Sequence, residues 1–154
     1  MKPTIESLLA QPYDCLILVN PKTQVLDEIS EKIQSLGVKC LNVSRALSGE
    51  LIKNLNTERG KFAQEWLKNF IRELDEEPIL LAQPDLLFHP SLGIDVFTLI
   101  RQMARSKKMI VLWLGEYFSD TLTYAVPEHH HYRVWKISDI LIQPQICICP
   151  IFGA

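Results

Sequence analysis

Apolar residues in this chain come in short continuous runs, separated by stretches where they recur at helical spacing. That alternation predicts a mainly parallel sheet with helices on its faces. The run Cys15-Leu16-Ile17-Leu18-Val19 reads as a central strand, because a strand covered on both faces needs no polar alternation. Val25, Leu26, Ile29, Ile33 and Leu36 then follow at helical spacing, which predicts a helix over 22–36, opened by Pro21 and stopped by Gly37. A second strand is expected over 38–43, and Ser44 is placed to cap a short helix carrying Leu47, Leu51 and Leu55. Residues 56–60 read as a connection and 61–74 as a further helix. Ile79-Leu80-Leu81-Ala82 is the next strand, begun by Pro78 and continued or bent through Gln83-Pro84-Asp85 into Leu86-Leu87-Phe88.

After a loop over 89–93, Val96, Leu99, Ile100 and Met103 mark one face of a helix over 94–106. Met109-Ile110-Val111-Leu112-Trp113-Leu114 is the clearest later strand. Residues 115–120 leave it as a loop beyond the strand's C-terminal end, where ligands meet α/β sheets. Residues 121–126 and 131–137 read as two short strands separated by Pro127-Glu128-His129-His130, in a hairpin or a long loop. Ile140-Leu141-Ile142 and Ile146-Cys147-Ile148-Cys149 are strand candidates for a sheet edge, since prolines interrupt them. No repeat, low-complexity segment or domain boundary breaks the pattern. One domain is expected over 1–154, with 1–12 as a lead-in and 138–154 as a C-terminal edge strand or tail.

A chain of 154 residues can bury a core without disulfides or metal. With 47% apolar residues, 22% charged residues and a net charge of -2, the composition is that of a soluble globular protein and makes no bulk electrostatic case for nucleic acid. The first residues lack a signal-peptide pattern, and no apolar run reaches the roughly 18 residues of a membrane span, so a cytoplasmic location without a membrane partner is expected. Cys15 and Cys40 sit in apolar runs and read as buried free thiols. Cys147 and Cys149 form C-x-C in an alternating segment, too few ligands for zinc.

The end of the first strand carries the first chemical signal. In the P-loop pattern G-x-x-x-x-G-K-S/T, glycines let successive backbone N–H groups curl round a phosphate, while Lys and Ser/Thr serve phosphate and magnesium. Here Lys22 and Thr23 match the final pair, but Pro21 falls on the second glycine and Leu16 on the first. Lys22 and Thr23 are therefore the cofactor-binding candidates, against the alternative of an exposed lysine and a locally bonded threonine at a helix start. Asp85 is the candidate for the acidic residue that follows a strand and holds magnesium, although the first position after Ala82 is Gln83, which is neutral. A loop cap, or a partner for a nearby basic group, is its other reading. Glu116, just past the strand ending at Leu114, is a second catalytic candidate that would orient water or a partner's arginine, or else a solvated loop acid.

Arg101, Arg105, Lys107 and Lys108 concentrate positive charge at a helix end, either as a nucleic-acid contact or as complements of the helix dipole. His129-His130-His131 is prominent, but consecutive side chains in a strand diverge, so a polar hairpin surface is expected and no metal site.

Ile79-Leu80-Leu81, Asp85-Leu86-Leu87-Phe88, Leu99-Ile100-Arg101-Gln102, Arg105-Ser106 and Ile110-Val111-Leu112-Trp113-Leu114-Gly115-Glu116 occur in order. They are followed by Leu122-Thr123-Tyr124-Ala125, Pro127, His129 and Tyr132-Arg133. This succession resembles the BrxF family, the small P-loop-domain components of type 3 BREX bacteriophage-defence systems, over most of residues 13–136. The resemblance implies a bacterial cytoplasmic protein with a P-loop NTPase-like α/β fold of ASCE/AAA type, working with other BREX components. The family's phosphate role transfers only to Lys22 and Thr23, and its acidic role to Asp85. With the glycines missing, the expected function is a BREX component acting mainly through protein contacts, with nucleotide hydrolysis impaired and no cofactor for the isolated chain. The alternatives are an active ATPase using ATP and Mg2+ through an atypical loop, and a DNA-binding accessory module.

Overall fold

The computed structural model describes residues 4–53, 58–125, 132–137 and 144–151. In chain order the elements are α1 Ile5–Ala10, β1 Cys15–Asn20, α2 Thr23–Ser35, β2 Lys39–Asn42, α3 Val43–Lys53, α4 Arg59–Arg72, β3 Ile79–Ala82, α5 Val96–Ala104, β4 Met109–Phe118, β5 Thr121–Tyr124, β6 Arg133–Lys136 and β7 Ile146–Pro150. The fold is α/β, with a mostly parallel sheet flanked by helices. Its parallel part runs in the order β2-β3-β4-β1-β7, while β5 and β6 continue antiparallel from the far end of β4.

Burial explains the continuous apolar runs. Every residue of β1 is buried, and its side chains alternate between two layers. Cys15, Ile17 and Val19 join Ile79, Leu81, Met109, Val111 and Trp113 under α3, α4 and α5. Leu16 and Leu18 join Leu80, Ile110 and Leu112 under α1 and α2, which contribute Ile5, Leu8, Leu26, Ile29 and Ile33. A two-sided strand thus has no solvent face to signal with polar residues. Helix α2 ends as expected at Gly37, whose φ of +92° admits glycine far more readily than any other residue. On the other face, α4 comes so close to the chain at Leu92 that a Cβ on Gly60 would lie 1.8 Å from the Leu92 carbonyl oxygen.

Several expectations are corrected. Residues 115–120 are not a loop: β4 runs on to Phe118 and turns through Ser119 and Asp120, both at positive φ, into β5. Two left-handed residues are what a tight hairpin of matching twist requires. Residues 84–88 do not extend β3. Gln83 adopts φ +48°, and Pro84–Phe88 winds into a 3₁₀ turn followed by another at Pro90–Leu92. Ser44 is not the cap of α3. Asn42 Oδ1 accepts from the Arg45 N–H at 3.0 Å, whereas the Ser44 hydroxyl donates to the Gln83 carbonyl at 2.6 Å and accepts from the Leu86 N–H at 3.0 Å. The second strand stops at Asn42, and Cys40 is only half-buried.

The strands expected near 121–126 and 131–137 pair as β5 and β6, and β7 forms the edge beside β1. Arg133 fastens this hairpin to the 3₁₀ turns, donating to Ile94 O at 2.5 Å and Phe88 O at 3.1 Å. Leu55, the triad His129-His130-His131 and the strand expected at Ile140-Leu141-Ile142 lie outside the described residues. No described helix is long and apolar enough to cross a membrane.

Candidate functional site

Parallel strands direct all their C-terminal ends to one edge of a sheet, and the candidates drawn from the ends of β1, β3 and β4 gather there. Lys22 and Thr23 follow β1, Asp85 follows β3, and Glu116 lies in the extension of β4. They line two different cavities. Thr23 and Asp85 border a space of about 30 Å³ with Leu26, Asp27, Gln83 and Leu112, which is on the scale of a water molecule. Lys22 and Glu116 border a cleft of about 670 Å³ with Val19, Asn20, Val25, Tyr117, Phe118, Pro150 and Ile151.

The turn between β1 and α2 is held by Asn20, a polar residue only 8% exposed. Its Oδ1 accepts from the Lys22 N–H at 2.8 Å and its Nδ2 donates to the Ile151 carbonyl at 2.6 Å. Ile151 N–H in turn donates to Val19 O at 2.9 Å. Pro21 has no N–H to offer, so neither residue 21 nor residue 22 presents a backbone donor outward. Asn20 is visible in the sequence as a polar residue closing an all-apolar run, but its role depends on the Ile151 carbonyl 131 residues away, which local spacing does not reveal. Asn20→Ala is expected to destabilise the fold by about 2 kcal/mol, since it orphans the Lys22 amide and the Ile151 carbonyl together. Urea unfolding measures the loss, and a shift under about 0.5 kcal/mol would show the clamp to be dispensable.

Asp85 is exposed but engaged: the Tyr124 hydroxyl donates to its Oδ1 at 2.8 Å. Burial, and then the neighbouring Asp85 carboxylate, hold the Tyr124 phenol far above its ordinary range, so it stays a donor. The partner is thus a phenol from a strand 39 residues away, which sequence spacing does not reveal. Glu116 anchors its backbone N–H on Thr123 Oγ1 at 3.2 Å and leaves its side chain exposed in the cleft wall.

The basic residues do not form one solvent-facing patch. Lys107 is 8% exposed and its Nζ donates to the Leu74 carbonyl. Lys108 lies with Nζ 4.4 Å from the centroid of the Tyr13 ring, a cation–π contact. Arg101 occupies the last turn of α5 and Arg105 caps it, where positive charge complements the helix dipole. All four precede β4, at the edge opposite Lys22 and Glu116.

Cys15 is fully buried, and burial pushes its thiol well above the usual range; burial also raises Cys147 and Cys149, with the charge of Asp14 adding to the effect at Cys147. No group of three or more His, Cys, Asp or Glu gathers as a metal site among the described residues. No family model, curated protein or solved structure matches the chain.

Proposed function

We propose that the chain is a P-loop-derived α/β protein whose phosphate loop has become a fixed structural turn, and that it acts through protein contacts as a component of a BREX-type phage-defence assembly. One observation carries the loss of phosphate chemistry. The Lys22 amide, which a phosphate cradle would turn outward, donates to Asn20 Oδ1, and Asn20 is itself held by Ile151. The Thr23 side of the turn offers about 30 Å³, too little for a phosphate, and one oxygen of Asp85 accepts from Tyr124. These residues do not fit a nucleoside triphosphate with magnesium in the usual mode.

Derivation from a P-loop ancestor is supported by strand order, as a fold-level analogy. β4 lies between β1 and β3, so one strand separates the candidate phosphate loop from the candidate acidic residue. The ASCE arrangement has that same intervening strand. Resemblance of the segments from Ile79 to Arg133 to the BrxF family supports the assembly. A second reading, an ATPase with an atypical loop, draws on Lys22 and Glu116 sharing one cleft. DNA contact draws only on Arg101 and Arg105 once Lys107 and Lys108 are engaged within the fold.

Titration with ATP and magnesium, on the purified chain and on the chain co-purified with other BREX proteins, separates these readings. No binding is expected to the isolated chain, and co-expression is expected to recover a BREX partner. Tight magnesium-dependent binding abolished by Lys22→Ala would establish the ATPase reading instead. A folded chain that associates with no BREX component would remove the assembly.

A further inference from the structure

The cleft beside the closed turn has the anatomy of a recognition site. At about 670 Å³ it is within the range of ligand-binding clefts, and it lies outside the C-terminal ends of parallel strands. Val19, Val25, Pro150 and Ile151 give it apolar walls. Phe118 is 80% exposed, an unusual placement for a phenylalanine, and lies two residues from Glu116 on the same face of β4. Lys22 and Glu116 bring opposite charges to this apolar surface, and neither forms an ion pair with the other or with another described residue.

We propose that this cleft seats an extended segment of a partner protein, with a large apolar side chain against Phe118, an acidic residue toward Lys22 and a basic residue toward Glu116. The assignment rests on the protein-contact reading above. Charge complementarity selects this occupant. A polyanion such as nucleic acid would meet repulsion from Glu116, and a small anion would leave Glu116 and the apolar walls unused. A segment that carries an apolar side chain together with an acid and a base uses all three features.

A displayed library of random linear peptides, selected on the folded chain, tests the proposal. Winning peptides should carry an aromatic or large aliphatic residue together with an acid and a base in a fixed order. Phe118→Ser should weaken them about tenfold or more, and Lys22→Glu and Glu116→Lys should each weaken them several-fold. Selection on the double variant Lys22→Glu/Glu116→Lys should return peptides with the charges in reversed order. All three positions are exposed, and circular dichroism verifies that the variants fold.

Selection of no peptides, peptides indifferent to Phe118→Ser, or an unchanged charge order in the double variant would each overturn the assignment. Undiminished co-purification of Phe118→Ser with a BREX component would also overturn the cleft, while leaving the protein-contact reading standing. Displacement of the selected peptides by ATP and magnesium, dependent on Lys22, would bring down both.

Discussion

Gly115→Ala will destabilise the protein by about 3 kcal/mol, at the upper end of what overpacking costs, because no small side-chain movement can make room. A Cβ at this position would lie 1.9 Å from the Thr123 carbonyl oxygen and 2.9 Å from its carbon. Both obstacles are backbone, and Thr123 sits in β5 opposite Glu116, where β4 leaves the parallel sheet and becomes half of a hairpin. The same carbonyl accepts from Trp113 Nε1 at 2.9 Å, and the new methyl would also press on that nitrogen at 3.2 Å. Displacing Thr123 therefore breaks the register of β4 with β5 and an indole hydrogen bond together. Gly49→Ala is the control: it lies within α3 with nothing within 4 Å of the added carbon, and should gain up to about 1 kcal/mol from helix propensity. Equal effects at the two glycines, in paired denaturant unfolding curves, would refute the steric argument.

Gly115 lies in the Trp113-Leu114-Gly115-Glu116 segment, where local composition and structure part. The central strand was legible because both its faces are covered, and Gly37 was legible because a helix ended where a positive φ was needed. The extension of β4 was not. Gly115-Glu116-Tyr117 after an apolar run has loop composition, and Ser119-Asp120 reaches the left-handed region without the glycine that usually announces such a turn. Lysine reads as exposed, so the burial of Lys107 depended on a carbonyl 33 residues away becoming its partner. For the candidate site, strand ends alone were enough to place Lys22, Thr23, Asp85 and Glu116 at one edge. Their division between two cavities, and the partners Ile151 of the Asn20 turn and Tyr124 of Asp85, are not encoded in any local spacing.

Trp113→Ala should cause the larger loss, about 4 kcal/mol, and it reaches the site through the aromatic cluster beneath it. Trp113 is fully buried, with ring centroids 5.1 Å from Phe88, 5.4 Å from Trp135 and 6.4 Å from Tyr124, all edge-to-face. Phe88 stacks on Tyr124 at 3.6 Å, and Tyr124 holds Asp85. Removing the indole opens a cavity among the three remaining aromatic side chains and strips the Thr123 carbonyl of its side-chain donor. Trp113→Phe keeps most of the ring contact but lacks the Nε1 donor, so its cost should be about half as great. Because Gly115 and Trp113 share Thr123, their double variant should lose less than the sum of the single losses. Strict additivity in that cycle would show that the hairpin and the aromatic cluster are independent. Coupling would show that the β4–β5 register and the packing of the aromatic cluster are joined at the Thr123 carbonyl.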